Sequence, residues 1–274
     1  MRYTIQAFKY LGKNFLYMFA FALIPAILLS VSMDMHALDG ISKAYFGGNP
    51  LDLEFVHVFH AVSTFNFHSW GAFFTSALAL LVMMVAGSML MAFMEKHMRI
   101  GKKTLNGVFS KVNDNLVSTC GICFLFLLIY EAWALIASAL LFVVSRFDSV
   151  AMVYILSIAL FLGTQMIFHL ILSVFYLWLP CMQITGFRSF EALRYSYQLA
   201  SPVLWKIAFG QFIGLTVAEI VILTTAYFAP SVVVVIVASI LYCVLILSFC
   251  IRMQVVYFDR AGLERADLKK YYSA

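Results

Sequence analysis

The chain has 274 residues, 64% of them hydrophobic and only 11% charged, with a mean hydropathy of +0.96. Globular domains run at about 45–50% apolar and roughly 25% charged, so a soluble fold is excluded by composition and the bilayer is the expected solvent. The net charge of +5 does not point to nucleic acid, because the basic residues stand at the ends of apolar runs, where lipid headgroups supply the counter-charge.

The N-terminal stretch "TIQAFKYLGKN", Thr4 to Asn14, has the texture of a short amphipathic helix, and the apolar run Asn14–Met33 follows it. Basic residues ahead of an apolar core suggest a secretory signal. The run is about 20 residues, longer than a signal core of about 7–15, and no A-x-A-like site follows, so a retained first span is expected.

Next comes the only long segment expected outside, Asp34 to His68, which contains "LEFVHVFHAVSTFNFHSW". Glu54, His57 and His60 lie one helical turn apart in succession, with His68 beyond, so three metal-capable side chains fall on one face. The alternative is an interfacial helix with Phe55, Val58 and Phe59 in lipid and the histidines near the surface.

Five more runs reach the roughly 20 residues that a helix needs to cross a bilayer: Ser69–Met94, Leu116–Val144, Val150–Leu179, Val203–Tyr227 and Ser231–Val256. They lack the alternation of a strand, and hydrocarbon leaves no backbone group unsatisfied, so all six are expected to be helices. The pair Cys120 and Cys123 in "CGIC" has redox or zinc spacing without a βαβ setting or a second pair. Five cysteines, an odd number in or beside apolar runs, do not form a disulfide framework.

Sixteen of the 18 basic residues fall before span one, between spans two and three, between four and five, or after six; only Lys43 and Arg146 fall on the other side. That asymmetry places both termini in the cytoplasm. Short turns, "SRFDS" and "AP", join spans three to four and five to six as antiparallel hairpins.

Each hairpin follows a short amphipathic segment: "TIQAFKYLGKN", "TLNGVFSKVNDN" from Thr104, and "SFEALRYSYQL" from Ser189. The expected architecture is an all-α integral membrane protein, one polytopic domain over 1–274. Its six spans form three hairpins, each preceded by a cytoplasmic in-plane helix, with repeats at 1–100, 101–185 and 186–274. In the third copy Phe190, Leu193, Tyr197 and Ala200 share one face, expected in the interface with Arg194 toward anionic lipid. An ordinary polar loop is the alternative.

The stretch "GFRSFEALRYSYQLASPVLWKIAFGQFIG", a basic amphipathic helix, a break, an aromatic-basic start and a span, resembles uncharacterised bacterial six-span proteins. These are akin to the membrane domain fused to some glycerophosphodiester phosphodiesterases. The resemblance implies a bacterial plasma-membrane module. With the chain ending at Ala274 and no phosphodiesterase domain expected, that activity carries over to no residue here.

Ionisable groups inside spans are costly and are functional candidates by default. Glu131, Gln165 and Glu219 each lie roughly 15 residues from one boundary, about 22 Å at 1.5 Å per residue. His169 is one turn from Gln165, and Gln211 shares a face with Glu219. A polar layer of these five suits a proton relay, an ion site or a polar cavity; the alternative is hydrogen bonding between packed helices. Gly210 and Gly214 form a G-x-x-x-G suited to close helix packing.

No H-E-x-x-H, G-x-S-x-G, Walker loop or G-x-G-x-x-G occurs in the sequence, and no cofactor is expected. The expected function is a non-catalytic membrane module in transport, lipid handling or scaffolding, partnered by membrane lipids and a membrane protein. The alternative is an intramembrane or membrane-surface enzyme acting on a lipid-linked substrate through Glu131, His169 and Glu219 or the outer histidines.

Overall fold

The computed structural model describes residues 2–48 and 50–268; Lys269 and Lys270, counted above among the terminal charges, lie outside the described residues. Among the described residues the chain is all-helical, and six of its helical stretches are long and apolar enough to cross a bilayer, as a multi-pass membrane protein requires.

The first of them, α1 (Arg2–Val31), runs unbroken through the segment expected to lie apart as an in-plane helix. Nothing in Thr4–Asn14 stops a helix, and Ala7, Tyr10, Leu11 and Asn14 are buried in the bundle, so tertiary packing keeps the polar turn in line with the span. Pro25 lies inside α1 and removes one intrahelical hydrogen bond.

Two short helices follow. Asp34 caps α2 (Met35–Phe46), its carboxylate accepting from the His36 and Ala37 N–H groups at 3.1 and 3.0 Å, and α3 (Phe55–Val62) succeeds it. The long α4 (Trp70–Ile100) ends on Gly101, whose φ of 79° is the left-handed cap that glycine adopts freely. Past α5 (Val108–Asp114), α6 (Leu116–Val144) and α7 (Val150–Val174) pack on each other.

The fourth span is broken. After α7 the chain turns through 175–177 and resumes as α8 (Trp178–Thr185), with Pro180 in the first turn of α8, where a missing N–H is tolerated. The Leu177 N–H freed at this break is satisfied from α9 (Ser189–Ala200), whose Ser196 hydroxyl accepts from it at 2.9 Å. A single 3-10 turn leads into α10 (Leu204–Phe228), and α11 (Ser231–Arg260) is the last long helix of the described residues.

α1 packs most extensively against α11 and next against α4; α10 packs on α7 and α11; α2 lies against α10 and α3 against α6. The start of α1 and the end of α11 meet, with Tyr3 donating to Asp259 at 2.6 Å and Arg2 3.5 Å from the same carboxylate. The main core gathers at that end and is rich in methionine, with Met18, Met91, Met94, Met98 and Met182 fully buried.

The same end holds an acidic hub. Glu95 is 1% exposed and lies 2.8 Å from Arg99 Nε and 2.6 Å from Lys111 Nζ, which ties α5 to α4. Glu95→Gln should cost about 1–2 kcal/mol, below the full buried-pair value because Arg99 and part of Lys111 reach solvent. Thermal unfolding in detergent reads the loss, and an unchanged midpoint contradicts the hub.

Candidate functional site

The residues expected to form one polar layer divide into three groups. In the first, Gln165 on α7 donates from Nε2 to Glu219 Oε2 on α10 at 2.5 Å, and Thr216 donates back to Gln165 Oε1 at 3.0 Å. These three side chains clasp α7 to α10.

Glu131 does not join that clasp. Its carboxylate accepts from Ser63 Oγ at 2.8 Å, from the Thr64 N–H at 3.0 Å and from the Thr64 hydroxyl, while Tyr130 beside it donates to the Val62 carbonyl at 2.9 Å. Glu131 stands 15 residues from Leu116 and 13 from Val144, so the loop after α3 comes back to the middle of α6. Non-helical backbone beside a span needs polar partners from the protein, and Glu131 supplies them.

The outer segment forms the short helix α3, whose aromatics are half-buried against one another and against α6. Val58 is buried, and Phe55 and Phe59 stack on each other at 6.0 Å, with Phe59 against Phe67 and Phe55 edge-on to Phe142 of α6. Glu54, His57 and His60 do not converge on one point. Glu54 lies 3.9 Å from His57 Nδ1, whereas His60 turns to Asp34 at 3.4 Å. Among the described residues no group of three such side chains converges on a metal position.

The third group is at the opposite end. His169 on α7 is 5% exposed, and neither ring nitrogen has a hydrogen-bond partner; Gln211 on α10 neighbours it, accepting from Ser173 at 3.3 Å and leaving Nε2 unpartnered. Tyr176, in the break after α7, donates to the Phe249 carbonyl at 2.8 Å and accepts from Arg252 Nε at 3.3 Å.

Arg252 is the residue that charge counting misplaced. Read from sequence as one of the terminal headgroup-facing cations, it is 6% exposed inside the bundle, and among the described residues no carboxylate is within ion-pair distance of it. Its place is made by Gly210: a Cβ there would overlap Arg252 Nη1 and lie 3.6 Å from the Thr4 hydroxyl of α1. Gly214 has a plain packing role, its Cβ position 3.6 Å from Leu245 of α11.

On α9 the inward face is the small one, Ala192, Ser196 and Ala200, with Leu193 packed at the core margin. Phe190, at 85%, and Tyr197, at 50%, face outward with Arg194. The expected face of Phe190, Leu193, Tyr197 and Ala200 is therefore split, because small side chains let α9 sit close to the α7–α8 break. A groove of about 430 Å³ lies between α1 and α4, bordered by Phe21, Ile24, Pro25, Leu81, Val85 and Met89. Its lining is apolar, suited to an acyl chain. Compared with protein-family models, curated proteins and solved structures, the chain matches none.

Proposed function

We propose that this chain is a non-catalytic module of a bacterial-type plasma membrane that handles lipid, alone or with a partner membrane protein. The observation that carries the reading is the state of its two intramembrane carboxylates. Glu131 and Glu219 are engaged by Ser63, Thr64 and Gln165 in structural contacts, rather than presented together to a substrate.

In this reading both termini are cytoplasmic, supported by sixteen of the 18 basic residues falling on that side. The six spans form three hairpins related as repeats, and α9, ahead of the third, lies as an in-plane helix. Its outward Phe190 and Tyr197 beside Arg194 suit the headgroup layer. The apolar groove between α1 and α4 offers a place for an acyl chain.

The alternative, an enzyme acting on a lipid-linked substrate, draws on one observation, the unpartnered imidazole of His169. Extraction in native lipid discs followed by lipid analysis separates the two. The expected result is phospholipid retained with the protein through detergent exchange and chemically unchanged. Turnover of a retained lipid, abolished in His169→Gln with folded yield intact, overturns the non-catalytic reading.

A further inference from the structure

We infer that Arg252, with His169 and Gln211 behind it, forms a binding site for the phosphate group of an anionic lipid. The inference rests on the lipid-handling reading and names the ligand of that bundle. A guanidinium is always charged and carries five donors, and inside a membrane protein it requires an acceptor.

Arg252 has one hydrogen bond here, from Nε to the Tyr176 hydroxyl. His169 and Gln211 stand beside each other, both more than nine-tenths buried, and no hydrogen bond of good geometry reaches the His169 ring nitrogens or Gln211 Nε2. Three helices thus bring a guanidinium, an imidazole and an amide together in one region, which is chemistry that can receive an oxyanion.

The placement favours a lipid as the source of the phosphate. α11 packs against both α1 and α10 and carries Arg252 at the seam where Thr4 of α1 and Gly210 of α10 come together. Arg252 is eight residues from the end of α11, and Gly210 six from the start of α10. At 1.5 Å per residue these depths are about 12 and 9 Å, near the headgroup boundary of helices longer than the roughly 30 Å hydrocarbon layer.

Around the seam the surface is apolar, with Phe8, Trp205 and Phe209 each more than half exposed, and Lys206 stands one turn from Gly210. Gly210 is what leaves room. Arginine's planar fork suits a phosphate bidentately, and a Cβ at 210 would take the volume the fork occupies.

The test is thermal unfolding of the full chain in neutral maltoside detergent with three probes: dioleoyl phosphatidylglycerol, dioleoylglycerol, which has the same chains without phosphate, and sodium phosphate. At about 100 times Kd, phosphatidylglycerol should raise the midpoint by roughly 5–10 °C. Dioleoylglycerol should not.

Arg252→Gln and Arg252→Met should lose more than half of the rise, whereas Lys43→Gln at the far end keeps it. Gly210→Ala is the safeguard against a folding defect: it displaces the guanidinium by one methyl and leaves the charge in the chain, and it should weaken the rise too. A rise with sodium phosphate equal to that with phosphatidylglycerol supports the site and assigns it to free phosphate. If the wild type responds and all three variants respond equally, or if dioleoylglycerol gives the full rise, the site is wrong while lipid handling stands. If the wild type responds to none of the three, both fall.

Discussion

Ala22→Leu is expected to destabilise the bundle by about 2–3 kcal/mol, and Ala26→Leu by a similar amount, because both add volume where none is free. Ala22 and Ala26 are fully buried one turn apart on α1, and Ser30, one turn further, donates to or accepts from Ser239 of α11 at 2.5 Å. At the other end of the same interface Tyr3 meets Asp259. These two contacts fix an antiparallel register that sets Ala22 and Ala26 opposite the 242–247 stretch of α11, where Cys243, Ile246 and Leu247 are buried.

Helices in lipid gain little from burying apolar area against each other, since lipid tails are equally apolar; close approach over small residues supplies the attraction. A leucine at 22 therefore separates the most extensive interface in the molecule. The control is Leu16→Ala, on the outward side of α1, which should shift the midpoint little. Thermal unfolding of the three variants in one detergent decides it: Ala22→Leu within 1 °C of wild type, on the scale of about 2–4 °C per kcal/mol, contradicts the packing account. The double variant should fall short of additivity, because neighbouring sites share the relaxation of α11.

That row of small residues was present in the sequence as Ala22-x-x-x-Ala26-x-x-x-Ser30, yet the glycine pair at 210 and 214 is the more conspicuous motif. Of that pair only Gly214 has the packing role the motif suggests. Gly210 serves a side chain 42 positions along the chain, and a spacing rule for helix contact carries no information about an arginine arriving from a third helix. The six spans were legible because apolar length is a local property.

Their ends were less so. The polar turn Thr4–Asn14 reads as a surface helix, but its inward face is completed by residues far along the chain such as His97, which shares a hydrogen bond with Tyr10. Arg252 reads as a terminal charge because it falls near the end of the last apolar run; its burial depends on Gly210, Thr4 and Tyr176 converging from three other segments. The polar layer was legible as composition and depth, and Gln165 with Glu219 does form a pair. Glu131 departs from it because its partners belong to a loop 67 and 68 residues earlier, which no periodicity reveals.

Those loop partners make Glu131→Ala the other substitution with a large expected effect, about 3 kcal/mol. A carboxylate accepting hydrogen bonds contributes about 1.5–3 kcal/mol per bond, discounted here because the group is only part-buried, and truncation leaves the Thr64 N–H without its acceptor. The damage should be local before it is global. Ser63 also accepts from the Phe65 N–H at 3.0 Å, and Asn66 both donates to Ser76 of α4 and accepts from the His68 N–H, so the 63–69 turn is a chain of bonds that begins at Glu131.

Cutting that first link should release the turn and α3 from α6 while the α1–α11 pair keeps its protection. Amide hydrogen exchange followed by mass spectrometry reads this directly: peptides covering 58–69 should exchange at least tenfold faster in Glu131→Ala, with those of α11 unchanged. Glu131→Gln, which keeps one acceptor oxygen for the Thr64 N–H, should fall between. Glu219→Gln is the contrasting case, since the Gln165 amide can turn to offer its oxygen, and its cost should stay below about 1 kcal/mol. Uniform acceleration across all helices in Glu131→Ala, or none at 58–69, would show that this carboxylate holds something other than the loop, and the intramembrane site would have to be sought again around it.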